Sequence, residues 1–118
     1  MFEKEIARGA ELLDRHRPGW MLELDLANLD MSSCQACVVG QIMGDYTDGL
    51  EKMIGPHEVL YGEEYGFDLP VRAHEFVYVF GSDLEAQEIA RTVMYQKLER
   101  EWTHFIKDRL DKGVDLGV

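Results

Sequence analysis

The residues of this 118-residue chain best suited to chemistry are two cysteines in Cys34-Gln35-Ala36-Cys37. Such a pair at the start of a helix is typical of dithiol oxidoreductases, because the helix dipole favours the thiolate form. The aromatic residue that usually precedes the first cysteine is replaced by a serine, and no strand-helix-strand pattern surrounds the pair. The acidic neighbours Asp25 and Asp30 also oppose thiolate formation. We therefore expect two structural thiols, with redox activity and metal binding left open as alternatives.

Zinc binding at the cysteines would require two further ligands, because zinc in proteins usually has four. His57 and His74 are the candidates for completing a site with Cys34 and Cys37, but the histidines of the chain lack the paired spacing of zinc fingers. We expect no cofactor, and zinc is the alternative. No Ser/His/Asp set can be identified either, so the sequence favours a non-catalytic protein.

The charge of the chain is strongly negative and unevenly distributed. Twenty-three acidic residues against 12 basic ones give a net charge of -11, and residues 18–68 hold ten acidic residues and one basic residue. This balance disfavours direct binding to nucleic acid or to an anionic membrane. It favours a basic protein partner, with solubility and nucleic-acid mimicry as alternatives. The candidate interaction residues are all acidic: Asp45, Asp48, Glu51, Glu58, Glu63 and Glu64.

The chain shows neither a signal-peptide pattern at its start nor an apolar run of the roughly 18 residues that a membrane span requires. Linkers and repeats are also missing. We therefore expect a single cytoplasmic domain over residues 1–118.

Helical spacing of apolar residues predicts a first helix from Phe2 to Arg17, stopped by Pro18, with Trp20 packing back on the core. Residues 21–31 predict an extended segment that enters a turn.

A second helix is predicted from Ser32 or Ser33 to Met43 or Tyr46, apolar on almost every side and therefore buried. A short helix should follow from Asp48 to Ile54.

The last third of the chain predicts a short β ribbon and a long helix. Residues 75–80 have strand composition, and residues 58–61 could be their partner. Ser82 and Glu85 form a capping-box pattern before a helix of about 42 Å, long enough that its end could form a homodimer contact. The apolar series that keeps helical spacing along it is Leu84, Ile89, Val93, Met94, Leu98, Trp102, Phe105, Ile106 and Leu110. The expected fold is mainly α, a small bundle with the second helix between the first and last helices.

Four segments of the sequence together resemble a known group of proteins: Arg17-Pro18-Gly19-Trp20, Ser32-Ser33-Cys34-Gln35-Ala36-Cys37-Val38-Val39-Gly40-Gln41, Gly44-Asp45-Tyr46-Thr47-Asp48-Gly49-Leu50 and Tyr65-Gly66-Phe67. The group consists of small proteins encoded by bacteriophages of actinobacteria and occasionally by their hosts. The resemblance covers about half of the chain, from Glu11 to Phe67, and the Ser-Cys-x-x-Cys-Val-x-Gly-Gln core is its most specific part. It implies the cytoplasm of an infected bacterium as the setting, and it implies no activity.

Three functions follow from the sequence. The first is a non-catalytic protein that binds a host or phage protein through its acidic residues or the end of its long helix. The second is a thiol or metal protein centred on Cys34 and Cys37. The third is a nucleic-acid mimic, which requires carboxylates in a surface row at about the phosphate spacing of a strand.

Overall fold

The protein is mainly helical in a computed structural model that describes residues 1–55 and 59–113. The helices are α1 (Glu3–His16), α2 (Trp20–Glu23), α3 (Val38–Met43), α4 (Tyr46–Ile54), α5 (Val71–Tyr78) and α6 (Leu84–Asp111). Two 3-10 segments, Leu26–Asn28 and Val59–Tyr65, lie between them. Within these described ranges none of the helices is both long and apolar enough to cross a bilayer.

The first helix forms as predicted, and its apolar side is buried. Phe2, Ile6 and Leu13 belong to the core, and acidic residues in the first turn and basic ones in the last turn match the helix dipole. A Cβ atom at Gly9 would overlap the carbonyl oxygen of Tyr65. The glycine therefore allows the Val59–Tyr65 segment to lie directly on α1.

The second helix begins later than predicted. Ser33 caps only a single turn, because its Oγ accepts hydrogen bonds from the amides of Gln35 and Ala36 at 3.2 and 3.0 Å. Cys37 then has extended backbone angles, and α3 starts at Val38. This helix is largely buried but packs mainly against α4 and α2. Its predicted place between the first and last helices is therefore not confirmed.

The segments on either side of α3 also differ in detail from the prediction. Residues 21–31 form α2 and the first 3-10 segment in addition to short extended stretches. The short helix α4 begins at Tyr46, two residues before the predicted start, because the Asp45 side chain caps it by accepting a hydrogen bond from the Asp48 amide. Trp20 packs in the core as predicted, with 1% of its surface exposed.

The predicted β ribbon is wrong. Residues 71–78 form α5, and residues 59–61 lie in a 3-10 segment, while Glu58 lies outside the described residues. No strand occurs in either described range. Ala73 and Val77 lie one helical turn apart and are both fully buried, so burial of one helix side outweighs the β propensity of the aromatic and branched residues.

The long helix α6 has the predicted length of 28 residues, but its cap differs. The Asp83 side chain, rather than Ser82, accepts the hydrogen bond from the Ala86 amide. Its buried residues recur every four positions: Ala90, Met94, Leu98, Trp102 and Ile106. Because four residues exceed one helical turn, each step moves the buried stripe about 40° around the helix.

An aromatic cluster joins α6 to the rest of the chain. Trp102 is fully buried, stacks on Phe67 with ring centroids 5.8 Å apart and meets Trp20 edge-on at 6.1 Å. Its indole Nε1 donates a hydrogen bond of 2.5 Å to the carbonyl oxygen of Gly66. The cluster therefore fixes the position of α6 by packing and by a buried hydrogen bond.

Two ion pairs connect α1 to the last two helices. Asp14 accepts hydrogen bonds from both terminal nitrogens of Arg109, the shorter at 2.8 Å, and another of 2.9 Å from Trp20. Burial opposes ionisation of Asp14, but these bonds outweigh it and leave its pKa below the usual value. Glu5 binds Arg72 of α5 at 2.7 Å, and mainly for this reason its pKa is also lowered.

Candidate functional site

The turn formed by Ser33–Cys37, which we call the cysteine turn, is held in place by several polar contacts. The Cys37 amide donates to the Ser33 carbonyl at 3.2 Å, so these residues form one helical turn. The amide of Tyr46 donates to the carbonyl of Cys34 at 2.9 Å. A Cβ atom at Gly40 would overlap that same carbonyl, which explains why glycine occupies this position.

The Gln41 side chain holds the cysteine turn from the opposite side. Its Nε2 donates to the carbonyls of Asp25 and Ala36 at 3.1 and 3.0 Å, and its Oε1 accepts from the Asp25 amide at 2.7 Å. The Cys-Val-x-Gly-Gln part of the motif is therefore used to fix the turn.

The two cysteines have different environments on the same cavity. Cys37 is buried, and its Sγ accepts a hydrogen bond of 3.3 Å from the Gly40 amide, which caps α3. Burial raises the pKa of the Cys37 thiol. Cys34 is exposed, and both cysteines line a cavity of about 150 Å³ that Tyr46, Asp68 and Tyr95 also line.

Two tyrosines form the polar part of this cavity. The Tyr95 hydroxyl donates a hydrogen bond of 2.6 Å to Asp68. Burial, with that bond as the second cause, raises the pKa of Tyr95, and burial likewise raises the pKa of Tyr46. Both phenols are therefore hydrogen-bond donors at neutral pH.

The predicted metal site is not assembled in the part of the chain that the structure describes. No three histidine, cysteine, aspartate or glutamate side chains cluster there closely enough to hold a metal ion. His74 lies on α5 with its ring stacked on Tyr78, and it does not line the cysteine cavity. His57 lies outside the described residues.

A larger cleft of about 570 Å³ adjoins the cysteine cavity, with Ser32 and Tyr95 lining both. Its carboxylates are engaged in local contacts. Asp30 accepts from the Ser32 hydroxyl at 2.6 Å, and Glu99 accepts from the Met31 amide at 3.2 Å. The bond from Met31 to Glu99 therefore ties the loop before the cysteine turn to α6.

The acidic candidates lie on two packed elements. Asp48 and Glu51 are exposed on α4, and on the Val59–Tyr65 segment Glu64 is exposed and Glu63 is half-buried. Asp45 is occupied as the α4 cap and accepts a further bond of 3.3 Å from Gln35. Glu58 lies outside the described residues. Because Asp45 is half-buried and bonded, it is the least suited of the described five to contact a partner.

A surface that sequence reasoning missed lies where α5 turns into α6. Nine large apolar side chains are exposed in the described part of the chain, and seven of these belong to residues 76–93. We call these seven the hairpin surface: Phe76, Tyr78, Val79, Phe80, Leu84, Ile89 and Val93. The exposed fraction reaches 71% for Val79 and 75% for Leu84. The apolar series predicted for α6 therefore includes three residues that lie outside the core: Leu84, Ile89 and Val93.

Carboxylates outnumber cations along the hairpin surface, where Arg91 lies between Ile89 and Val93 and pairs with Glu88 at 3.4 Å. Residues 73–90 contain four acidic residues and no lysine or arginine. All four are exposed: Glu75, Asp83, Glu85 and Glu88. The signal available in the sequence was the five consecutive apolar residues 76–80, because one side of a short helix cannot bury them all.

No family model matches the sequence, and the comparisons with curated proteins and with solved structures also give no match.

Proposed function

We propose that this chain is a non-catalytic binding protein that holds a protein partner on its hairpin surface. The observation that carries the proposal is the concentration of seven exposed large apolar side chains within residues 76–93. Contiguous apolar surface on a water-exposed protein typically marks an interaction site. The sequence resemblance to phage proteins supports the cytoplasm of an infected bacterium as the proposed setting.

The partner that fits this surface is a segment with an apolar side and basic flanks. The apolar residues would contact the partner's apolar side, and Glu75 and Glu85 would face its lysines or arginines, since Asp83 caps α6 and Glu88 pairs with Arg91. An amphipathic basic helix has both properties and is a common ligand of helical grooves and surfaces. A second copy of this chain fits less well, since its hairpin would bring the same acidic residues opposite Glu75 and Glu85.

The test uses two synthetic peptides of about 18 residues with the same leucine positions, one with lysine and one with glutamate at the remaining positions. We expect the lysine peptide to bind, with an affinity that falls as salt is added, and the glutamate peptide to bind at least about tenfold more weakly. Fluorescence anisotropy of labelled peptide measures both affinities.

A matched pair of variants locates the binding. Leu84→Ser combined with Ile89→Ser removes two apolar groups of the hairpin surface, whereas Leu22→Ser removes one that is 64% exposed on α2. We expect only the first variant to lose binding. Equal loss in both variants, equal affinity for both peptides, or sedimentation showing that the hairpin surface is covered by a second copy would each refute the proposal.

A thiol function at Cys34 and Cys37 is the second candidate, favoured by the cavity that both side chains line. It needs no partner protein and is independent of the hairpin surface. Nucleic-acid mimicry has weaker support, because Asp45 is used as a helix cap and the remaining carboxylates lie on two different elements.

A further inference from the structure

Cys34 differs from the neighbouring residues of the cysteine turn because the side chains or small size of those residues serve the structure. Ser33 caps the turn, Cys37 caps α3, Gly40 allows the close approach to the Cys34 carbonyl, and Gln41 holds the turn in place. The Cys34 backbone is fixed by the Tyr46 amide, while its side chain is exposed at the cavity. The turn thus presents an accessible thiol at a fixed position.

The second thiol lies on the same side of this turn. Residues three apart in a helical turn share one face, and the hydrogen bond of 3.2 Å from the Cys37 amide to the Ser33 carbonyl shows that 33–37 is such a turn. A disulfide requires Cα atoms about 4.4–6.8 Å apart, which the i,i+3 spacing of a turn satisfies. Both side chains also line the same cavity of about 150 Å³. The two thiols therefore belong to one turn and one cavity.

We propose that Cys34 and Cys37 form a reversible dithiol/disulfide site that reacts with low-molecular-weight disulfides such as glutathione disulfide. This inference goes beyond the proposed binding function and does not depend on it. Cys34 is the attacking residue because it is exposed, and Cys37 is the resolving residue because it is buried beside Cys34.

The exchange takes place in two balanced steps. The Cys34 thiolate, whose proton has gone to solvent, attacks one sulfur of the glutathione disulfide. The disulfide bond of glutathione breaks, a Cys34–glutathione disulfide forms, and one glutathione thiolate leaves and takes up a proton.

In the second step Cys37 loses its proton to solvent and attacks the Cys34 sulfur. The mixed disulfide breaks, the Cys34–Cys37 bond forms, and the second glutathione leaves as a thiol. Both protein thiols are oxidised, and one glutathione disulfide is reduced to two thiols. Because burial raises the pKa of the Cys37 thiol, the rate of this second step should increase as the pH rises.

The test incubates the intact protein with glutathione disulfide and identifies the products by mass spectrometry of the whole chain and of its peptides. We expect the wild-type chain to accumulate the Cys34–Cys37 disulfide. Cys37→Ser should stop at the Cys34–glutathione adduct, and serine can still cap α3, so this variant should fold. Cys34→Ser should remain unmodified, because its only thiol is buried.

A second measurement separates a site built by the fold from the behaviour of any two nearby cysteines. In a glutathione redox buffer, the equilibrium constant for forming the disulfide should be at least about tenfold larger in the folded chain than in urea-unfolded chain. An equal or smaller constant in the folded chain would overturn the proposal. Modification of Cys37 before Cys34, or a wild-type chain that keeps both thiols, would overturn it as well.

Discussion

Replacing each of the two tryptophans with phenylalanine should reveal how much the buried hydrogen bond of Trp102 stabilises the fold. Trp102→Phe removes the donor to the Gly66 carbonyl and leaves that buried oxygen without its indole partner. An unsatisfied buried polar group costs about 1–3 kcal/mol. The indole is larger than the phenyl ring by about 40 Å³, which adds about 1 kcal/mol at roughly 24 cal/mol per Å³ of cavity. We expect a total loss of about 2–4 kcal/mol in the free energy of unfolding.

The matched control is Trp20→Phe, because Trp20 is also buried and also donates through its Nε1, here to Asp14 at 2.9 Å. Asp14 keeps its two bonds from Arg109 after this change, so its carboxylate is not left unpaired. We expect Trp20→Phe to cost about 1–2 kcal/mol, less than Trp102→Phe.

Urea unfolding followed by far-ultraviolet circular dichroism measures both variants without relying on tryptophan emission. The slope with denaturant should stay unchanged, so that a shift of the midpoint reports stability alone. A loss for Trp20→Phe equal to or larger than that for Trp102→Phe would refute the reasoning, because it would show that ring volume rather than the Gly66 bond sets the cost.

Three further predictions concern pH, close packing and helix capping. The pKa values of Asp14 and Glu5 are lowered in the folded chain. The stabilisation that these two carboxylates contribute is therefore complete above the unfolded pKa values near pH 4 and is lost as the pH falls below them. Urea unfolding at a series of acidic pH values measures this loss. Gly9→Ala should destabilise the protein by about 2–3 kcal/mol in thermal or urea unfolding, because its Cβ would meet backbone rather than a movable side chain, and a loss below about 1 kcal/mol would contradict the packing of α1 on the Val59–Tyr65 segment. Asp83→Ala should cost about 1 kcal/mol and Ser82→Ala almost nothing in the same assay, and the reverse order would restore the capping box predicted from sequence.

The elements that sequence predicted well are those in which many residues repeat one signal. α1 and α6 each have apolar residues at helical spacing over several turns. The observed ends of these helices differ from the predicted ends by two residues at most. Short elements depend on contacts made elsewhere in the chain. Ser33 has the side chain of a helix cap, yet it caps a turn, because Cys37 leaves helical geometry and starts α3 anew.

The candidate site shows the same division between local and tertiary information. Sequence identified Cys34 and Cys37 as the notable pair, but their difference in exposure depends on how α4 and α6 close the cavity. The hairpin surface was missed because helical spacing at Ile89 and Val93 shows that they share one side of α6 and does not show whether another element covers that side.

The four-residue repeat of buried positions in α6 makes the orientation of the hairpin depend on the exact number of residues before Trp102. Deleting one residue between Leu98 and Trp102 would rotate the preceding half of the helix by about 100° relative to the aromatic cluster. The hairpin surface would then face a different side of the molecule. Inserting four residues would rotate it by only about 40° while moving it outward by about 6 Å. Natural variation in the length of α6 before Trp102 should therefore come in units of whole helical turns, since only whole turns preserve the direction in which the hairpin surface faces.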